Sequence, residues 1–115
     1  MKITSLKILD KVAVSHNPAI KKQIMLANGE LPNIINFSRA VFPPGEIAGA
    51  HQHDDMSEIF FVLSGKGMIT IDGVAHTLET GICVAVEAGE MHEVKNTGRD
   101  DLVLSYFAVM VSDKN

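Results

Sequence analysis

The strongest constraint on the fold is a series of short apolar runs, each closed by residues that favour a turn. From Asn33 onward the runs are rich in the β-branched and aromatic residues typical of strands. Asp72-Gly73 between two such runs is a strong hairpin signal, because type I′ turns need positive φ. The predicted strands are Ile34–Phe42, Ile59–Leu63, Met68–Ile71, Ile82–Val86, Met91–Val94 and Leu102–Val111. The pattern predicts an all-β domain, either a sandwich or a barrel.

The first 32 residues allow two interpretations. Ile3–Leu9 and Ile20–Ala27 fit strands, whereas Ala19–Leu26 also fits a short helix. A chain of 115 residues fits one domain. We therefore interpret residues 1–32 as an N-terminal extension that packs on the barrel or on a partner subunit, and residues 33–115 as the barrel domain.

Charge and composition narrow the function classes. The formal net charge is −4 and the basic residues form no run, so we expect no nucleic-acid partner. Apolar runs such as Ile59–Leu63 are too short to cross a bilayer, and Met1–Lys7 has no signal-peptide core, so we expect no membrane partner. The single cysteine, Cys83, suits a reducing cytoplasm, which is the expected compartment. We expect the Cys83 side chain to be small, apolar and buried.

Three histidines and one glutamate form a candidate metal site. His51 and His53 are separated by one residue, and on a strand this spacing puts both imidazoles on one face. The polar residues that follow can break the strand, so that Glu58 begins the next strand and faces the same interior. His92 begins another predicted strand. Four candidate ligands at three strand ends predict a site in the mouth of a barrel.

Two segments around these residues resemble the two motifs of the cupin superfamily. The first segment runs Gly45, five residues, His51, one residue, His53, four residues, Glu58, six residues, Gly65. The second runs Gly81, five residues, Glu87, one residue, Gly89, two residues, His92, three residues, Asn96. The family usually has proline where this chain has Glu87, and often aspartate where it has Ile82. Neither departure is at a ligand position.

The resemblance implies an all-β fold, a single cupin jelly-roll β-barrel with an N-terminal extension. It also implies a mononuclear site in which His51, His53, Glu58 and His92 hold Fe, Mn, Ni, Co, Cu or Zn. Three imidazoles and a carboxylate suit first-row transition metals, whereas calcium and magnesium prefer all-oxygen ligands. Four protein ligands leave two positions of a six-coordinate ion for a small molecule.

Three further side chains are candidates for catalysis in such a site. Arg39, if it points inward, offers a fork for a carboxylate or phosphate; if it points outward, it is an ordinary surface charge. Tyr106 and Phe107 are adjacent, so one of them faces the interior, where Tyr106 would supply a hydrogen-bond donor. Gln52, between the two histidines, is the third candidate.

Three classes of function remain open from the sequence. A metal-dependent enzyme would carry out dioxygenation, sugar-phosphate isomerisation or chemistry on sugar acids, which the resemblance implies. A sensor would bind a small molecule without changing it, and in a structural barrel the metal would only stabilise the fold. We also expect a homodimer in which the N-terminal extension and the strand Leu102–Val111 pair across a two-fold axis.

Overall fold

The computed structural model describes residues 1–111, in which every regular element is a strand. The last four residues of the predicted barrel domain, 112–115, lie outside the described part. The strands are β1 Val12–Val14, β2 Asn17–Leu26, β3 Ile34–Phe42, β4 Ile47–His51, β5 Met56–Ser64, β6 Lys66–Ile71, β7 Val74–Glu79, β8 Cys83–Val86, β9 His92–Asn96 and β10 Leu102–Met110. The all-β prediction is confirmed. Within residues 1–111, no helix has the length and apolarity needed to cross a membrane.

The strands form two antiparallel sheets that share one core. The six-stranded sheet has the order β1-β2-β3-β10-β5-β8, and the four-stranded sheet has the order β4-β9-β6-β7. Side chains from both sheets meet in one buried apolar cluster. Its largest fully buried members are Ile20, Ile69, Leu78, Leu102 and Leu104. This arrangement confirms the predicted jelly roll, in which the inward faces of two sheets enclose the interior.

The N-terminal residues contribute two strands to the larger sheet. β2 pairs antiparallel with β3, with Lys21 opposite Val41 and Gln23 opposite Arg39. The helical interpretation of Ala19–Leu26 is therefore wrong: the backbone of this segment supplies the hydrogen bonds that the exposed edge of β3 would otherwise lack. The Gln23 amide also donates to the carbonyl oxygens of Leu6 and Leu9, at 2.7 and 3.0 Å. These bonds hold the segment from Leu6 to Leu9 against the sheet.

The predicted Asp72-Gly73 hairpin positions the start of β9. Asp72 and Gly73 have φ of 48° and 82°, as a type I′ turn requires. The Asp72 carboxylate accepts the Met91 N–H at 2.9 Å, and the Asp72 N–H donates to the Met91 carbonyl at 2.8 Å. Because Met91 directly precedes His92, this turn fixes the backbone next to a predicted ligand.

Cys83 does not occupy the buried position expected of it. It begins β8, the edge strand of the six-stranded sheet, and its side chain is exposed. Its partner across the ladder is Phe61, which is 40% exposed. Both residues lie on the outer face of the sheet. A buried thiol would have required a register shifted by one residue, which turns the side chain to the inner face.

Candidate metal centre

Glu58 and His92 approach each other from the two sheets across the interior. Glu58 is the third residue of β5, where Glu58, Phe60 and Val62 alternate inward. His92 begins β9 in the opposite sheet and lies opposite His51, the last residue of β4. Glu58 is 9% exposed and His92 is 2% exposed. The two sheets therefore bring a carboxylate and two imidazoles to one place, as the sequence pattern predicted.

The separations of the side-chain atoms are those of donors that can share one ion. Glu58 Oε1 lies 2.9 Å from His92 Nε2, 3.8 Å from His53 Nε2 and 3.9 Å from His51 Nε2. Two donors that each lie about 2.1 Å from an ion are about 3.0 Å apart at a right angle and about 4.2 Å apart when opposite. The ligand atoms of His51, Glu58 and His92 also lie within 4.8 Å of one another.

His53 lies beside this group of three. Its ring centroid is 5.0 Å from that of His51 and 6.2 Å from that of His92. His51 and His53 do not share one strand, because β4 ends at His51, but both imidazoles lie on the same side, 3.9 and 3.8 Å from Glu58 Oε1. The Gly89 N–H instead donates to the His53 carbonyl at 2.7 Å. The turn of the second motif thus holds the backbone of this histidine.

Two buried atoms at the centre of the site lack hydrogen-bond partners. Glu58 Oε1 and His92 Nε2 are 2.9 Å apart, yet their contact does not have hydrogen-bond geometry, and neither atom has another partner in residues 1–111. A buried polar atom without a partner costs about 1–3 kcal/mol. Two electron-pair donors this close repel each other unless a positive charge, a proton or a metal ion, lies beside both of them.

Backbone carbonyls leave the Nε2 atoms of two imidazoles free to act as ligands. His51 Nδ1 is 2.9 Å from the Gly49 carbonyl oxygen, and His92 Nδ1 is 3.3 Å from the Glu90 carbonyl oxygen. When Nδ1 carries the proton and donates it to a carbonyl, the neutral ring presents an electron pair at Nε2. Each of these rings is therefore held in the tautomer that a metal requires.

The same group of charges shifts the ionisation of its buried members. Burial alone would raise the pKa of Glu58, but the adjacent His92 and then His53 and His51 outweigh burial and hold the pKa below its ordinary value. Burial alone would lower the pKa of His92, but Glu58, together with the backbone and the charge of Glu90, outweighs burial and raises that pKa. A metal ion would therefore have to compete with protonation of His92.

Tyr106 faces the interior near these residues. Its ring stacks on Phe60, with centroids 5.6 Å apart and an angle of 24° between the planes. Burial, together with the charge of Glu58, raises the pKa of Tyr106 to about 12, while Ser38 opposes the shift. The phenol stays protonated at neutral pH and can act as a hydrogen-bond donor.

Ser38 and Asn36 are interior polar residues that the sequence interpretation missed. The Ser38 hydroxyl is fully buried and donates to the Asn36 side-chain oxygen. They are two residues apart on β3, and on a strand such residues lie on one face. This spacing was the sequence signal that could have predicted a polar pair in the interior.

The other two catalytic candidates lie elsewhere. Ser38 and Ala40 on β3 are buried, so Arg39 between them points to the outer face of the sheet, away from Glu58. The alternative in which Arg39 points inward is therefore wrong. The Gln52 side chain is exposed and donates to Asp54 at 3.3 Å. Tyr106 is the one of the three candidates that shares the interior with Glu58 and His92.

The cavity beside the ligands is small and acidic. The gaps between its lining atoms total about 140 Å³ including open solvent, and none of them holds a water-sized sphere. Its lining consists of His53, Met56, Glu58, Val86, Glu87, Glu90 and His92. Glu87, which stands where the family usually has proline, therefore adds a carboxylate to this cavity. Because the lining within residues 1–111 has no lysine or arginine, an anionic ligand would need another source of positive charge.

Known proteins resemble this chain in sequence and in fold. An oxalate-binding protein from Thermotoga maritima is 33% identical over 75 residues, which are 65% of this chain and 60% of the relative. The chain thus spans about 60% of the length of that relative.

Solved structures match the fold over nearly the whole chain. The crystal structure of a predicted oxalate decarboxylase from Thermotoga maritima has a TM-score of 0.89 at 22% identity and covers 96% of this chain and 100% of its own. The structure of KdgF from Halomonas sp. has a TM-score of 0.78 at 21% identity and covers 100% and 99%. At these identities the likeness concerns the fold alone.

The family comparison agrees with the architecture and the motifs. The cupin domain family matches residues 38–111, from the middle of β3 to the end of β10. The match includes both motifs and spans more than half of the chain. This chain belongs to the cupin domain family.

Proposed function

We propose that this chain binds one divalent transition-metal ion through His51, His53, Glu58 and His92. The observation that carries the proposal is the pair Glu58 Oε1 and His92 Nε2, buried 2.9 Å apart without hydrogen-bond partners. A cation beside both atoms removes their repulsion and satisfies both electron pairs. Imidazole nitrogens with one carboxylate form a donor set that suits Fe, Mn, Ni, Co, Cu or Zn. A small shift of the His53 side chain would complete the set of four.

The ligand class that we propose for this site is a small organic acid. The lining leaves no room for a water-sized sphere, so even a ligand of a few heavy atoms would require the side chains at the mouth to move apart. Bound metal would supply a Lewis acid for a substrate oxygen and balance the charge of an anion. The name of the oxalate-binding relative supports oxalate as the first compound to test.

A protein that binds an organic acid at this site belongs to one of two functional classes. In the first, the protein is an enzyme of the dioxygenase, isomerase or sugar-acid type. In the second, it is a binding or sensor module whose metal serves structure and ligand capture. In both cases binding of an anion would depend on the metal ion. The cavity is lined by Glu87 and Glu90 and, within residues 1–111, by no cation.

Removal and return of the metal test this proposal. We expect the protein stripped by a chelator to bind no oxalate by calorimetry, and the protein reloaded with Mn²⁺ or Zn²⁺ to bind it with one-to-one stoichiometry. Metal at 100 times its Kd should add about 2.7 kcal/mol to the free energy of unfolding. Carbon-13 NMR of labelled oxalate then separates the classes: formate and carbon dioxide indicate an enzyme, and unchanged oxalate a binding module. Equal oxalate binding with and without metal would contradict the proposal.

We further propose that two copies associate through the part of the outer face of the six-stranded sheet that β10 and β5 form. Both edges of β10 are hydrogen-bonded to β3 and β5, so pairing of this strand across a two-fold axis is excluded. Its outer face instead carries Phe107, which packs edge-on against Phe37 with ring centroids 5.9 Å apart. Phe61 and Leu63 on the neighbouring strand are 40% and 42% exposed. Exposed apolar patches of this kind mark interaction surfaces.

Light scattering coupled to gel filtration tests this assembly. We expect a dimer of the wild-type chain and a monomer of Phe61→Glu, because the new carboxylate would be desolvated in the interface. A control substitution, Val74→Glu, changes an exposed apolar residue of the other sheet and should leave the dimer intact. A wild-type monomer at all concentrations would refute the proposal. The cytoplasm remains the proposed compartment, on the ground of the single free thiol.

A further inference from the structure

A second pocket lies on the outer face of the six-stranded sheet, on the side opposite to the metal centre. It offers about 140 Å³ of room to water-sized spheres, whereas the space beside Glu58 offers none. Its lining contains several cationic residues and no carboxylate. The lining residues are Lys11, Ala19, Lys21, Lys22, Gln23, Arg39, Val41 and Pro43.

The pairing of β2 with β3 brings the cations together. Arg39 lies opposite Gln23, and Lys21 lies opposite Val41, so Lys21 and Arg39 are diagonal neighbours on the outer face. Lys22 lies opposite the buried Ala40 and belongs to the other face of β2. We therefore assign two strand cations to the pocket.

The N-terminal segment supplies the third cation. Lys11 follows the stretch that the buried Gln23 amide holds through the carbonyl oxygens of Leu6 and Leu9. This anchoring places Lys11 at the pocket wall, where it faces the same space as Lys21 and Arg39. The pocket is thus assembled from three separate places in the chain and has a rigid sheet as its floor.

The three positive charges have no counter-charge in the described part of the chain. The ion pairs of residues 1–111 involve Lys2 with Glu30 and the histidines with Glu58, so no carboxylate there lies within 4.0 Å of Lys11, Lys21 or Arg39. Arg39 is also half-buried. In a chain with a net charge of −4, a cationic concavity of this kind concentrates anions.

We propose that this pocket binds a small oxyanion, a phosphate or carboxylate group of a small molecule, at a site separate from the metal centre. The Arg39 guanidinium has the planar fork that forms paired hydrogen bonds with such groups. Lys21 and Lys11 supply point charges on either side. The apolar walls of Ala19, Val41 and Pro43 leave room for the body of the ligand beside its charged group.

Titrations of the full chain with inorganic phosphate and with citrate, at constant ionic strength, test this proposal and distinguish the two anion classes. We expect saturable binding of at least one of them, followed by NMR or calorimetry. Arg39→Gln should weaken it by about tenfold or more, as expected for loss of charge-assisted paired hydrogen bonds. Arg39→Lys should restore only part of the affinity, and Lys21→Gln should weaken binding if Arg39→Gln fails to fold.

A matched control makes the result decisive. Lys66→Gln removes an exposed cation of the other sheet and should leave the affinity unchanged. Absence of saturable binding of either anion would overturn the proposal. Equal weakening by Lys66→Gln and Arg39→Gln would also overturn it, because binding would then follow net charge rather than this pocket.

Discussion

Replacing Glu58 with glutamine lowers the affinity for Mn²⁺ or Zn²⁺ by about 100-fold or more and leaves the chain folded. Loss of an outer hydrogen-bond partner of a metal ligand already costs about 10- to 100-fold, and Glu58 is proposed as a direct ligand and the site's anionic donor. The fold should survive because the new amide has the same shape and can donate to His92 Nε2, the buried atom that now lacks a partner. Competition titrations with a coloured chelator measure the change.

Two histidine variants serve as a matched pair of controls for the Glu58→Gln result. His51→Ala removes an exposed imidazole of the proposed site, whereas His76→Ala removes an exposed imidazole of β7. Both changes delete the same side chain from the surface, so only their position differs. We expect a large loss of affinity for the first and none for the second. Metal binding that is unchanged in Glu58→Gln and His51→Ala would contradict the assignment of these ligands.

Replacing Gly65 with alanine lowers the free energy of unfolding by about 3 kcal/mol. Gly65 has φ of 92° in the turn from β5 to β6, a conformation that costs a residue with a Cβ about 1 kcal/mol or more. An added Cβ would also lie 2.9 Å from Leu102 Cα and against the Asp101 carbonyl oxygen. Both are backbone atoms, which cannot rotate away, so overpacking adds about 1–3 kcal/mol.

Gly81→Ala separates the two costs. Gly81 has φ of 89°, nearly the same conformation, but nothing lies within 4 Å of an added Cβ. We expect this variant to lose only the conformational share, about 1 kcal/mol. Urea unfolding of both proteins, with unchanged m-values, gives the comparison. Equal destabilisation of the two variants would show that the close approach of β10 to Gly65 carries no cost.

The strands and the site could be predicted because their signals are local. Alternating apolar residues, the Asp72-Gly73 turn and the spacing of His51, Glu58 and His92 depend on a few neighbouring positions. The cupin resemblance adds the long-range pairing that brings these segments together. Glu58 faces inward as predicted, although β5 begins two residues before it, at Met56.

The face on which a residue lies was harder to predict, because it depends on the order of strands in the sheet. Cys83 and Arg39 each sit in an apolar run whose inward parity is set by its neighbours, β5 for Cys83 and β10 for Arg39. The cationic pocket shows the same limit: Lys21 and Arg39 meet through the register of β2 and β3, and Lys11 joins them through the anchored N-terminal segment.

The position of His53 depends on a different kind of information. The one-residue spacing from His51 predicts a shared face only if the strand continues, and β4 ends at His51. The hydrogen bond from Gly89 that holds the His53 backbone comes from a turn more than thirty residues further along the chain. Local sequence cannot predict such a contact, so His53 is the ligand whose assignment depends most on the proposed metal.

Anomalous diffraction from crystals of the protein saturated with Zn²⁺ tests the metal centre most directly. We predict one strong peak at about 2.0–2.2 Å from a carboxylate oxygen of Glu58 and from the Nε2 atoms of His51 and His92, with the His53 side chain turned to join them. A zinc-saturated crystal with no peak among these atoms, or with its peak at other residues, would contradict the account.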